Sequence, residues 1–197
     1  VNSMSDMFQI YFEIGFHHIL DLQAYDHLLF LAALCIPFTL KDWKLVVVLA
    51  TAFTLGHSVT LALSVLEILS FDTSWVEFLI PVTIFITAIL DQFIQVKKHM
   101  FVHYLLAFFF GLIHGMGFSN LLKSSLMTGE EDKLIVQLFA FNLGIEIGQI
   151  IIVVLLVLMF GAFAQMLKKY KLKGQSLHVL IFSLIIALWS VWMCIQR

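Results

Sequence analysis

LIVQLFAFNLGIEIGQIIIVVLLVLMFGAFAQM, residues 134–166, contains a single charged side chain, Glu146. A helix needs about 20 mostly apolar residues to cross a bilayer. This stretch is longer than that, so it reads as a tilted span or one that continues past the membrane. The rest of the chain agrees with it. Of 197 residues, 61% are hydrophobic and 12% charged, and the mean hydropathy is +1.02. A soluble domain has about 45–50% apolar and about 25% charged residues. A water-soluble globule and a disordered chain are both excluded. Nucleic-acid binding is excluded as well, because the net charge is −2 and the one arginine is Arg197. Cys35 and Cys194 lie in apolar runs and support neither a disulfide framework nor a cysteine zinc site.

Working outward, five more segments have span-like composition, at 24–40, 45–69, 75–96, 101–118 and 177–195. The expected fold is therefore an all-α, polytopic transmembrane bundle of about six spans, forming one integral membrane domain over residues 1–197. Residues 7–20 (MFQIYFEIGFHHIL) are too few to span, and they predict an N-terminal amphipathic or re-entrant helix. With no charged n-region and no small-residue cleavage site, this segment does not read as a signal peptide. Residues 119–133 form the longest connection, where Leu121, Leu122 and Leu126 allow a short interfacial helix. No internal repeat is evident.

Lysines orient the chain. Lys41, Lys44, Lys97, Lys98, Lys168, Lys169, Lys171 and Lys173 fall in three connections that share one side, while only Lys123, Lys133 and Arg197 fall on the other. The positive-inside rule makes the first side cytoplasmic. Both termini are then expected outside, which in a bacterial inner membrane is the periplasm.

Ionisable groups inside spans are costly and usually mark function. Asp26 and His27 open the first span, His57 lies well inside the second with Thr54, Ser58 and Thr60 beside it, and Glu77 begins the third. His114 closes the fourth, and Asn142, Glu146 and Gln149 form one stripe on the fifth. All of these fall in the same outer half. Gly111 with Gly115, and Gly144 with Gly148, permit close helix approach next to His114 and Glu146. Histidine and carboxylate without cysteine form a ligand set for a divalent transition metal such as nickel or zinc. The metal-ligand candidates are His18, Asp26, His27, His57, His114 and Glu146, with Ser58, Thr60, Glu77, Asn142 and Gln149 in support. Capping of the first helix by Asp26 and a dipole role for Glu77 are the competing structural readings. His99, His103 and His178 read as interfacial. The 20 phenylalanines, with Trp75, Trp189 and Trp192, read as lipid-facing packing and interfacial anchors.

The segments AYDHLLFLAAL (24–34), AFTLGHSVTLAL (52–63), GLIHGMGFSNLL (111–122) and FNLGIEIGQ (141–149) resemble the HupE/UreJ family of bacterial membrane proteins, in order and spacing. The likeness is strongest to its Bacteroidetes-type branch and covers nearly the whole chain. It implies about six spans and nickel uptake for metalloenzyme maturation. It also implies a working role for an upstream histidine followed by an Asp-His pair. The family usually places five residues between those two elements, whereas His18 and Asp26 are separated by seven, ILDLQAY. In one continuous helix His18 and His27 would face opposite ways, since nine residues turn through about 180°. A break near 21–25 is therefore expected if both meet one ion.

Three functions are compatible with such a site. The first is a permease or facilitator for nickel or another divalent metal. The second is a zinc-type intramembrane hydrolase, with Glu146 or Asp26 as general base. The third is a non-catalytic subunit of a larger membrane complex. Lipid and a metal ion are the expected partners, with a homo-oligomer or a membrane complex compatible. The permease reading ranks first.

Overall fold

A computed structural model of the chain describes residues 3–21, 25–69, 72–93, 99–125, 133–169 and 174–196, without the side chains of 91, 118–125 and 174–176. Lys97, Lys98, Lys171, Lys173, Glu130, Glu131 and Asp132 lie outside the described residues, as does the side chain of Asp91. The described residues form seven α-helices and no strand: α1 Met4–Leu20, α2 Tyr25–Cys35, α3 Trp43–Val65, α4 Thr73–Phe93, α5 Met100–Ser125, α6 Leu134–Lys169 and α7 Gly174–Gln196. Five of them, α3 to α7, are long and apolar enough to cross a membrane, so the protein is a polytopic helical membrane protein.

The segment expected as the first span is shorter than its hydropathy suggested. α2 stops at Cys35, and Ile36-Pro37 makes a turn, because proline disfavours helical geometry in the residue before it. At 11 residues, α2 extends about 16 Å, too little to cross alone. A single 3-10 turn, Leu40–Asp42, then leads into α3. There the Asp42 carboxylate accepts from the Thr39 backbone N–H at 2.9 Å and from its hydroxyl at 2.7 Å. At the other end of the bundle α5 runs on to Ser125, so Leu121 and Leu122 continue α5 and form no separate helix.

α1 is started by Ser3, whose hydroxyl accepts from the Asp6 N–H. The helix does not lie apart from the bundle. Its buried stripe of Met7, Tyr11, Gly15 and Ile19 packs lengthwise on α6. Met7 Sδ meets Gln137, Gly15 meets Phe141, and Gly148 meets Ile19. These contacts advance together along both helices, so α1 and α6 run parallel. α3 and α5 are parallel by the same test, with Gly111 against Phe53 and Gly115 against His57.

The two pairs are built alike. A Cβ added to Gly15 would lie 2.0 Å from the Phe141 carbonyl oxygen, and one added to Gly144 would lie 2.1 Å from that of Phe12. In the other pair, a Cβ added to Gly56 would collide with the Phe108 carbonyl oxygen and one added to Gly111 with that of Phe53. In both pairs each glycine touches the residue three positions before the partner's glycine. Such contacts bring backbone against backbone, which only a residue without Cβ allows.

Lys41 and Lys168 line one cavity of about 400 Å³ together with His178. The start of α3 and the end of α6 thus share one end of the bundle, the lysine end.

Candidate metal centre

The expected interruption between His18 and His27 is present. α1 ends at Leu20, Asp21 is extended (φ −67, ψ 117), and α2 begins at Tyr25. The change of direction turns His27 back toward His18, and their ring centroids are 4.8 Å apart. His57 joins them from α3, at 6.4 Å from His18 and 6.0 Å from His27. One ligand nitrogen from each of His18, His27 and His57 lies within 4.8 Å of the other two. The neighbouring His17 faces outward and is exposed.

Position along the helices sets the depth. His18, His57 and His114 each stand fourteen residues after the first residue of their helix, or about 21 Å along the axis. α1 starts at the end opposite the lysines, whereas α3 and α5 start at the lysine end. The cluster is therefore deep within the bundle. His57 and His114 are each only 1% exposed, and His27 is 5% exposed.

Hydrogen bonds fix which imidazole nitrogens carry lone pairs. His27 Nδ1 lies 3.1 Å from Asp26 Oδ1, and an ionised carboxylate can only accept, so Nδ1 holds the proton. The same oxygen accepts the His27 backbone N–H at 2.9 Å. His27 Nε2 is buried with no hydrogen-bond partner and presents its lone pair. His114 Nε2 lies 3.1 Å from the Thr83 hydroxyl, whose own proton goes to the Ile80 carbonyl. Thr83 must therefore accept, which puts the His114 proton on Nε2 and the lone pair on Nδ1. His57 has neither ring nitrogen hydrogen-bonded. A buried imidazole in that state is costly unless something binds it.

A divalent metal fits this donor set. Three imidazoles converge from three elements, one is oriented by a carboxylate, and the buried ring nitrogens of His57 and Nε2 of His27 have no hydrogen-bond partner. His114 stands beside the group, its ring 5.4 Å from that of His27.

The other predicted residues lie outside this cluster. Glu146 accepts from the Thr51 hydroxyl through Oε1, while its Oε2 is buried without a hydrogen-bond partner. Gln149 accepts from Thr54, and Asn142 from Ser58. These residues form a polar seam between α3 and α6. Thr60 donates to the Leu112 carbonyl and ties α3 to α5. Glu77 is exposed near the start of α4.

Two expectations are sharpened by burial. His103 and His178, expected at the interface, do not face out of the bundle. Both are buried, with His103 Nδ1 on the His99 carbonyl and His178 Nε2 on that of Ile36. Nor do all the aromatic residues face lipid. Trp75, Trp189 and Trp192 are exposed, but Phe30, Phe53 and Phe110 are buried; Phe30 and Phe53 pack against the histidines, and Phe110 against Phe30. Phe30 stacks on Phe53 at 4.6 Å, and the two rings lie 5.4 and 5.1 Å from His114. The sequence did hold a signal for this, since Phe53 precedes His57 by four residues and Phe110 precedes His114 by four. That spacing puts ring and imidazole on one helix face. Thr83, which orients His114, had no such signal.

A family model described as HupE / UreJ protein matches residues 1–196. No curated protein matches the chain, and no solved structure does.

Proposed function

Because the chain belongs to the HupE/UreJ family, we propose that it is a permease or facilitator for a divalent transition metal, nickel foremost, with the ion as its transported substrate. The observation that carries this reading is the meeting of His18, His27 and His57 at the break between α1 and α2. The association of the family with nickel and cobalt transport supports it.

The chemistry suits a carrier. Neutral imidazoles bind nickel, copper and zinc well, and a site of neutral ligands leaves the ion its charge to be drawn onward. Asp26 holds His27 in the binding tautomer, and His114 stands ready as a further ligand. The seam of Glu146, Gln149, Asn142 and their hydroxyl partners supplies polar surface beside the cluster. With the lysine end in the cytoplasm, both termini face the periplasm. The ion then enters along α1 from the outside and reaches the cluster roughly midway through a bacterial inner membrane.

Proteoliposome uptake of nickel tests the reading. Wild-type protein should accumulate the ion, and His57→Ala should abolish accumulation. Equal uptake by the two proteins would sink the proposal.

A metal-dependent hydrolase is the second reading, and one observation favours it. Phe30, Phe53 and Phe110 close the cluster toward the lysine end, as a pocket that retains its ion would require. This reading calls for one firmly held metal per chain after purification and no uptake.

A further inference from the structure

The permease reading needs a way out on the lysine side, and the structure offers a route. Phe30 and Phe110 belong to two environments at once. On one side Phe30 packs against His114 and Phe110 packs against Phe30, at 6.3 Å. On the other side both rings line a small cavity that also meets Thr87, Leu106 and His103. This cavity has a volume of about 10 Å³, room for one water-sized occupant.

His103 is poised as a ligand there. Its Nδ1 lies 3.1 Å from the His99 carbonyl oxygen. A carbonyl only accepts, so Nδ1 carries the proton and Nε2 carries the lone pair. Nε2 is buried and has no hydrogen-bond partner, although the residue is only 7% exposed. On α4, Thr83 touches His114, and Thr87 stands one turn further toward the lysine end, its hydroxyl bonded to the Thr83 carbonyl. His103 is eleven residues before His114 on α5, or about 16 Å nearer that end.

We propose that Phe30 and Phe110 form a closable floor beneath the histidine cluster, and that His103, with Thr87 beside it, is an inner ligand station. A divalent cation would pass through this station on its way to the lysine side. The inference rests on the permease reading. In the structure the floor is closed. When the two rings part, the cluster and the small cavity become one channel. The ion then leaves His114 for His103, about 16 Å nearer the lysine end, passing the Thr83 and Thr87 hydroxyls of α4 on the way. No bond other than metal–ligand contacts is made or broken, and no proton need move, because His103 already holds its proton on the far nitrogen.

The test separates binding from passage. Nickel affinity is measured on the purified full chain by equilibrium dialysis, and initial uptake rates are measured in proteoliposomes. His103→Gln should leave affinity at the three-histidine cluster within about twofold and lower the maximal uptake rate about tenfold, with the half-saturating concentration nearly unchanged. Phe30→Leu, a smaller but still apolar ring replacement, should raise the rate. His103→Gln transporting at the wild-type rate, while His57→Ala transports nothing, would overturn the inference and leave the permease reading standing. A parallel loss of affinity and rate in His103→Gln would also overturn it, since that residue would then act on the cluster or the fold. Absence of uptake by wild-type protein would remove both.

Discussion

One oxygen of Asp26 holds both the ring and the backbone of the next residue, His27: Oδ1 is 3.1 Å from Nδ1 and 2.9 Å from the amide nitrogen. Asp26 is therefore a helix-start residue and a ligand-orienting residue at once, and the two roles use one atom. Asp26→Asn keeps the shape, but its amide can present an N–H to the ring and so favour the wrong tautomer. Nickel affinity should fall about 10- to 100-fold. Helical content by circular dichroism should stay unchanged. A variant that binds as tightly as wild type would show that the carboxylate serves only the helix.

His57→Phe tests what the buried imidazole costs. With no metal present, both His57 ring nitrogens lack partners, and each unsatisfied group costs about 1–3 kcal/mol. The variant should melt at or above the wild-type temperature in metal-free detergent. Added nickel should raise the melting temperature of the wild type and leave that of the variant unmoved.

Gly144→Ala and Gly161→Ala should separate packing from propensity. The first places a methyl against the Phe12 carbonyl, whereas nothing lies within 4 Å of a Cβ at Gly161. Gly144→Ala should lose about 1–3 kcal/mol through overpacking. Gly161→Ala should gain roughly 0.5–1 kcal/mol from helix propensity. Thermal unfolding of both variants in one detergent checks the opposite signs.

Glu67 closes α3 with φ at 59°, the left-handed conformation. Its neighbours complete the usual helix-stop pattern, with the Ile68 N–H on the Leu63 carbonyl and the Glu67 N–H on that of Ser64. Glycine adopts this conformation without the side-chain penalty of roughly 1–2 kcal/mol. Glu67→Gly, at an exposed site, should therefore raise the melting temperature without altering metal affinity.

Hydropathy made the five long helices legible, because a bilayer imposes one length and one polarity on every span. It overstated α2, since an apolar run does not reveal where Pro37 ends the helix. The ligands were legible as residue types, and the nine-residue gap between His18 and His27 already demanded a break. What could not be read is partnership across helices. His103 looked interfacial because it comes three residues after the start of α5, yet α2, α3 and α4 cover it. Glu146 reads as a ligand by depth and by its stripe with Asn142 and Gln149, but the sequence could not show that one of its oxygens meets Thr51 on α3 while the other stays buried without a hydrogen bond. Depth is a property of one helix; which face meets which is a property of several.

The glycine contacts have a mechanical consequence. Where a carbonyl rests on a Cα, no layer of side chains exists to shear, so α1 with α6 and α3 with α5 behave as two stiff struts. His18 rides on the first strut, His57 and His114 ride on the second, and His27 stands on α2, which belongs to neither. The three nitrogens that would grip an ion are thus carried by the two helix pairs, which the α3–α6 seam joins, and by α2. On the permease proposal, a small displacement of α2 would open the grip and shift Phe30 in the same stroke, so that release of the ion and opening of its path would be a single event.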